Sequence, residues 1–213
     1  EYIVDRITDE ALRFIEARKN GPFLLHLWQY GVHGPWEAKK EYIEEFAKKT
    51  DPTGRQSNPV MASMLKSVDE SLGRVLDKLD ELGIADNTIV IFFSDNGGNI
   101  HSMINDSGDK RILKNPSHPL YDFIATYRKW AGCQAPTSNA PLRKGKGWIY
   151  DGGTRVPLLI RWPGITKPGS VCSEVVSSVD MYPTMLQMAG VKAPPEQKLD
   201  GLDLTPLLKG EDA

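Results

Sequence analysis

The stretch from Asn58 to Gly98 limits the possible folds more than any other part of the sequence, because it holds a long amphipathic helix and an apolar strand joined by a short turn. Met61, Met64, Leu65, Val68, Leu72, Val75, Leu76, Leu79 and Leu82 recur at three- and four-residue steps, the period of one helical face. Asn58 can cap this helix with Pro59 at its first position, and Gly83 can end it in a left-handed turn. The methionines share the stripe with the leucines and read as core filling. Thr88 to Phe93 then carries apolar side chains on both parities, the pattern of a strand buried on both faces. Such an αβ unit predicts the α/β class, with a mainly parallel sheet flanked by helices.

The rest of the chain alternates in the same way. Thr8 or Asp9 can cap a helix carrying Leu12 and Ile15, which Asn20-Gly21 stops. Phe23 to Trp28 reads as another apolar strand and leads into Gln29-Tyr30-Gly31-Val32-His33-Gly34-Pro35-Trp36. Ala38 to Lys49 is amphipathic, with Tyr42, Ile43 and Phe46 on one side. Residues 99–140 form a long stretch rich in Pro, Ser and Asn, of the kind that serves as a lid, a binding loop or an insertion, and Tyr121 to Trp130 can hold an element of its own. Val156 to Trp162 predicts a strand and Val175 to Ser178 a short one; Asp180 then caps a helix that Gly190 ends. Residues 192–213 are Pro-rich up to Leu204-Leu208 and read as the start of a C-terminal region.

Charged residues make up 25% of the 213 and the net charge is -2, so there is no electrostatic footprint for nucleic acid or an anionic membrane. No apolar run reaches membrane-spanning length and no secretory signal opens the sequence. The first residues, Glu1-Tyr2-Ile3-Val4, lack an initiator Met, which fits a processed chain or a piece of a longer one. Cys133 and Cys172 have no metal-type spacing and do not fix the redox compartment. Asn105-Asp106-Ser107 is a formal glycosylation sequon that carries little weight alone.

Chemistry concentrates where two elements end. The strand at Thr88 runs into Ser94-Asp95-Asn96-Gly97-Gly98, which sets a carboxylate beside an amide oxygen. Hard oxygen donors suit Ca²⁺ or Mg²⁺, and the glycines allow a sharp turn; the same residues also make an ordinary strand-to-loop turn. Pro141 to Arg155 disperses Arg143, Lys144, Lys146 and Arg155 among small residues. That composition fits a loop that approaches an oxyanion and equally a basic surface loop. His101, just after the aspartate loop, can line a substrate pocket, whereas His118 reads as a loop histidine.

Taken together, these segments resemble the type I sulfatases. The resemblance lies in Ser94-Asp95-Asn96-Gly97-Gly98, Leu142-Arg143-Lys144-Gly145-Lys146-Gly147, Asp151-Gly152-Gly153-Thr154-Arg155-Val156-Pro157, Arg161-Trp162-Pro163-Gly164 and Ser178-Val179-Asp180-Met181-Tyr182-Pro183-Thr184, with His33-Gly34-Pro35-Trp36 upstream. It covers most of the chain in the family's order. It implies an alkaline-phosphatase-like α/β fold, hydrolysis of an aryl or carbohydrate sulfate ester, and a divalent cation, usually Ca²⁺, held by Asp95 and Asn96. It also implies that Lys146 rather than Lys144 contacts the sulfate and that His33 stands near the leaving oxygen. Both would be catalytic as well as substrate-binding. A periplasmic, secreted or lysosomal setting is implied too. The family's nucleophile is a formylglycine made within a Cys/Ser-x-Pro/Ala-x-Arg motif, and neither Cys133-Gln134-Ala135-Pro136 nor Cys172-Ser173-Glu174-Val175 has that form. The paired N-terminal aspartates of the family's metal site are absent as well. The expectation is therefore the downstream part of a sulfatase catalytic domain, with a phosphodiesterase or phosphonate hydrolase of the same superfamily, or a non-catalytic glycan- or partner-binding module, as alternatives.

Overall fold

The computed structural model describes residues 1–101 and 110–211. The Asn105-Asp106-Ser107 sequon and part of the 99–140 stretch lie outside the described residues. The chain divides into two compact units, one of Glu1–Ala85 with Phe93–Leu158 and the other of Asp86–Phe92 with Leu159–Ala213.

The first unit is built on helices α1 (Ile3–Arg18), α2 (Lys40–Phe46), α3 (Pro59–Glu81) and α4 (Tyr121–Ala131), followed by the single turn α5 (Asp151–Thr154). The long helix α3 starts and stops as its sequence predicts. Asn58 Oδ1 accepts from the Val60 and Met61 amides at 3.1 Å each, and Gly83 (φ +67°) closes the end with Ile84 N–H donating to Leu79 C=O at 3.0 Å. Leu65 departs from the expected stripe and is half exposed. The buried line instead includes Ser63, Ser67 and Ser71, whose small side chains allow close packing. α1 begins well before Thr8, so Thr8 is not its cap. This buried hydroxyl donates to Val4 C=O at 2.6 Å and pairs with Ser71 Oγ at 2.7 Å, tying α1 to α3. Between α2 and α3, the Tyr42 hydroxyl sits 2.7–2.8 Å from both Glu70 carboxylate oxygens, and that bond pushes its pKa up to about 12.

α4 belongs to the core and is no lid. Ile124, Tyr127 and Ala131 pack with Trp36, Ile43, Val60, Met61 and Met64. Asn58 Nδ2 donates to the Tyr127 hydroxyl at 2.7 Å, so one side chain caps α3 and fixes α4.

The mainly parallel sheet is not what the described residues contain. There is one two-stranded sheet, β1 (Val90–Phe93) beside β2 (Leu158–Arg161). Its register is antiparallel: Ser94 N–H donates to Pro157 C=O and Gly97 N–H to Gly153 C=O, so one number rises as the other falls. Neither strand is buried on both faces: β1 is half-buried and β2 alternates half-buried with exposed residues. Phe23 to Trp28 forms no ladder among the described residues, although its odd positions are half-buried and its even positions exposed. An apolar run becomes a sheet strand only where a neighbour satisfies its backbone, and among the described residues no strand pairs with this one.

In the second unit, α6 (Met181–Met188) and α7 (Thr205–Lys209) follow the sheet. No strand forms at Val175, which is almost fully exposed. Asp180 makes no cap bond to α6. Its carboxylate accepts from Ser177 N–H at 2.7 Å and Leu202 N–H at 2.9 Å, and these backbone donors hold its pKa below the usual carboxylate value.

Candidate functional site

Two loops of the first unit are joined by glycines. A Cβ on Gly97 would fall 1.8 Å from Gly152 O, one on Gly152 would fall 2.1 Å from Lys144 O, and one on Gly145 would fall 2.4 Å from Gly98 O. These residues are required because backbone meets backbone with no room for a side chain. Hydrogen bonds complete the join: Lys146 N–H to Gly98 C=O at 3.1 Å, Gly97 N–H to Gly153 C=O at 3.0 Å and Gly152 N–H to Arg143 C=O at 2.9 Å. The aspartate loop at the end of β1 and the basic loop are thereby one rigid body.

Asn139 is the residue that sequence reasoning missed. Its Nδ2 donates to Gly98 C=O at 2.9 Å and to Lys144 C=O at 3.1 Å, while its Oδ1 accepts from Gly98 N–H at 3.2 Å. One amide thus splints both loops. The signal in the sequence was only an Asn ahead of Ala140-Pro141, which reads as turn chemistry.

Of the expected site residues, Asp95, Asn96, Lys146 and His101 belong to this joined body. Asn96 Nδ2 donates to Asp95 Oδ1 at 3.0 Å, so the two candidate metal donors stand side by side. Asp95 is exposed, while Asn96 and Lys146 are half-buried. His101 Nε2 accepts from Trp148 Nε1–H at 3.1 Å, which links His101 to the basic loop and leaves its proton on Nδ1. His33 is exposed, its Nδ1 donates to Gly34 C=O at 2.9 Å, and no hydrogen bond among the described residues ties it to the joined loops. Val32 just before it has φ +66°, a costly conformation for a β-branched residue and one that tends to occur where function constrains the backbone.

The donor set fits a divalent cation in part. Asp95 and Asn96 offer adjacent hard oxygens, but no group of three or more His, Cys, Asp or Glu among the described residues could hold a metal. Ca²⁺ takes six to eight oxygens, so these two side chains supply a minority of a full shell.

Comparison with known proteins places these loops in a wider context. The family model described as Sulfatase matches residues 1–191. Mouse steryl-sulfatase is 34% identical over 208 residues, covering 97% of this chain and 27% of that protein. Mouse N-acetylgalactosamine-6-sulfatase is 32% identical over 207 residues, covering 96% of this chain and 32% of its own length. Among solved structures, Ps i-CgsB in complex with k-i-k-neocarrahexaose superposes with a TM-score of 0.75 at 30% identity, over 100% of this chain and 40% of that one. The fold is also that of the phosphonate monoester hydrolase SpPMH, with a TM-score of 0.59 at 20% identity. The chain spans about a third of the length of the curated relatives it matches.

Proposed function

Because the chain belongs to the sulfatase family, we propose that it carries the sulfate-binding half of an enzyme that hydrolyses sulfate monoesters and contributes part of a divalent-cation site. The observation that carries this reading is the glycine-and-Asn139 join, which holds Asp95-Asn96 and Lys146 in one rigid body. In sulfate ester cleavage negative charge builds on the bridging oxygen as it leaves while the sulfuryl oxygens stay anionic, so preorganised positive charge around this group lowers the barrier. Lys146 supplies such a charge from a half-buried position on a fixed backbone. Asp95 and Asn96 would donate oxygens to Ca²⁺, with Mg²⁺ as the alternative; a bound cation would add Lewis-acid stabilisation of the same oxygens. His33, whose Nδ1–H donates to Gly34 C=O, would as an imidazolium offer its Nε2–H to the leaving oxygen and return to the neutral ring. The formylglycine nucleophile would come from a Cys/Ser-x-Pro/Ala-x-Arg segment elsewhere in the full protein. A carbohydrate sulfate fits as substrate, since relatives are named for N-acetylgalactosamine-6-sulfate chemistry or are seen with a neocarrahexaose. No helix among the described residues is long and apolar enough to cross a membrane, and an extracytoplasmic setting (periplasmic, secreted or lysosomal) belongs to the same proposal.

The test is turnover by the full-length protein of 4-nitrophenyl sulfate against bis(4-nitrophenyl) phosphate. Sulfate cleavage is expected to dominate and to fall roughly a hundredfold or more in Lys146→Ala, far more than in Lys144→Ala. Preference for the phosphate diester would move the protein to the phosphodiesterase reading. Turnover of neither would leave a non-catalytic module.

A further inference from the structure

The basic loop exposes an aromatic and cationic surface that sulfuryl-group binding by Lys146 does not use. Trp148 is 41% exposed and Ile149 91% exposed, although the Trp148 backbone is held on both sides. Trp148 N–H donates to Gly145 C=O at 3.0 Å, and the Trp148 carbonyl rests where a Cβ on Gly153 would fall 2.1 Å away. Trp148 and Tyr150 stack with ring centres 6.5 Å apart, and His101 accepts from the indole N–H. Two cations are seated on these rings. Lys144 Nζ lies 4.5 Å from the Trp148 ring centre and Arg143 Cζ lies 3.9 Å from that of Tyr150. Lys144 also holds φ +65°, a conformation in which Gly or Asn would be cheaper. Such cost is typically tolerated where the side chain has work at that place.

Rigid exposed aromatics lose little entropy on binding, and their faces suit the C–H faces of a pyranose ring. Cations fixed on those faces suit an anion carried by that ring. We infer that Trp148, Tyr150, Lys144 and Arg143 form a second subsite that binds a further anionic sugar unit, next to the one whose sulfate Lys146 holds. The inference rests on the sulfatase reading above, and it makes the preferred substrate a carbohydrate with more than one sulfate or carboxylate instead of a small aryl sulfate.

The test is calorimetric titration of the full-length protein, in metal-free buffer, with a sulfated neocarrahexaose and with its chemically desulfated counterpart. Trp148→Ala and Lys144→Asn, the latter chosen because Asn tolerates the left-handed backbone, should each weaken binding of the sulfated sugar tenfold or more. Trp148→Phe should restore affinity to within threefold of wild type, which separates loss of stacking from loss of fold. The salt dependence of binding should be shallower in Lys144→Asn. Unchanged affinity in both variants, or equal binding of the desulfated sugar, overturns the subsite. The readout is binding, so the two ideas fail separately. Trp148-dependent binding in a protein without sulfate turnover would sink the sulfatase reading and keep the subsite; turnover with binding indifferent to Trp148 and Lys144 would do the reverse.

Discussion

The hydrogen bond from His33 Nδ1–H to Gly34 C=O, which leaves Nε2 as the nitrogen that gains and loses the second ring proton, has a kinetic consequence. With Nδ1 engaged, Nε2 is the position that can carry a proton to a departing oxygen, so its value depends on how badly that oxygen needs one. His33→Ala in the full-length protein is expected to cost about a hundredfold or more on alkyl sulfates and under about tenfold on 4-nitrophenyl sulfate. Equal losses on both would make His33 a structural or sulfate-binding residue. A second expectation concerns Gly97, where an added Cβ would meet Gly152 O at 1.8 Å and backbone cannot step aside as a side chain would. Gly97→Ala should therefore destabilise by about 3 kcal/mol or more. Gly83→Ala, which has open space but a φ of +67°, should cost about 1–2 kcal/mol. Urea unfolding of the two variants measures the difference, and similar values would mean that the loops are not packed as described. At this scale the sequence was informative about residue type and silent about purpose. Gly97 and Gly98 read as a turn beside a metal, yet neither has a positive φ; Gly97 is needed for close approach to the Gly152 backbone and Gly98 for close approach to the Thr137 and Asn139 side chains.

Among the elements, α3 shows how one polar residue can stabilise two helices. Asn58 caps the first turn through Oδ1 while Nδ2 donates to the Tyr127 hydroxyl and to Ala135 C=O. Asn58→Ala loses the cap and leaves buried donors unpaired, so a loss of about 3 kcal/mol is expected. Asn58→Asp should keep the cap, lose the Tyr127 contact and fall between the two; an Asp variant as poor as Ala would assign the whole effect to α4. In the second unit, Asp180 ties Ser177 and Leu202 to the turn Ser178–Asp180. Its folded pKa is lowered by those two backbone donors. The stability it adds is therefore fully present above the unfolded aspartate pKa of about 3.9 and is lost as pH falls through the lower folded value. Melting curves of wild type and Asp180→Asn should differ at pH 6 and converge as the pH falls through the lowered folded value. A gap that persists in acid would show that the carboxylate's charge is not what holds Leu202. Periodicity together with Asn58-Pro59 and Gly83 placed α3 to the residue, because Asn-Pro and Gly are strong local signals. It misplaced the start of α1, since Thr8 satisfies its hydroxyl inside the helix and across to Ser71.

For the whole chain, the two metal donors set the final expectation. Asp95 and Asn96 fill a minority of a calcium shell, so the 213-residue chain should bind Ca²⁺ only in about the millimolar range, and Asp95→Asn should shift its melting temperature little with or without Ca²⁺. Calorimetry showing micromolar binding that disappears in Asp95→Asn would mean that other donors of this chain complete the site. Nor should the chain turn over an aryl sulfate by itself, since it contains no Cys/Ser-x-Pro/Ala-x-Arg segment. Leu24 and Trp28 are 73% and 79% exposed on the segment that reads as a strand. Local signals in the sequence determined the cap and stop of α3, the extended character of residues 23–28, and the family, because each depends on residues close together or on motifs in a fixed order. Tertiary structure alone decided that α4 is core, that the sheet of β1 and β2 is antiparallel, and that Asn139 and the glycines weld the Asp95 loop to the Lys146 loop. Those outcomes depend on which backbone groups find partners far away in the chain, and spacing along a sequence carries no record of that.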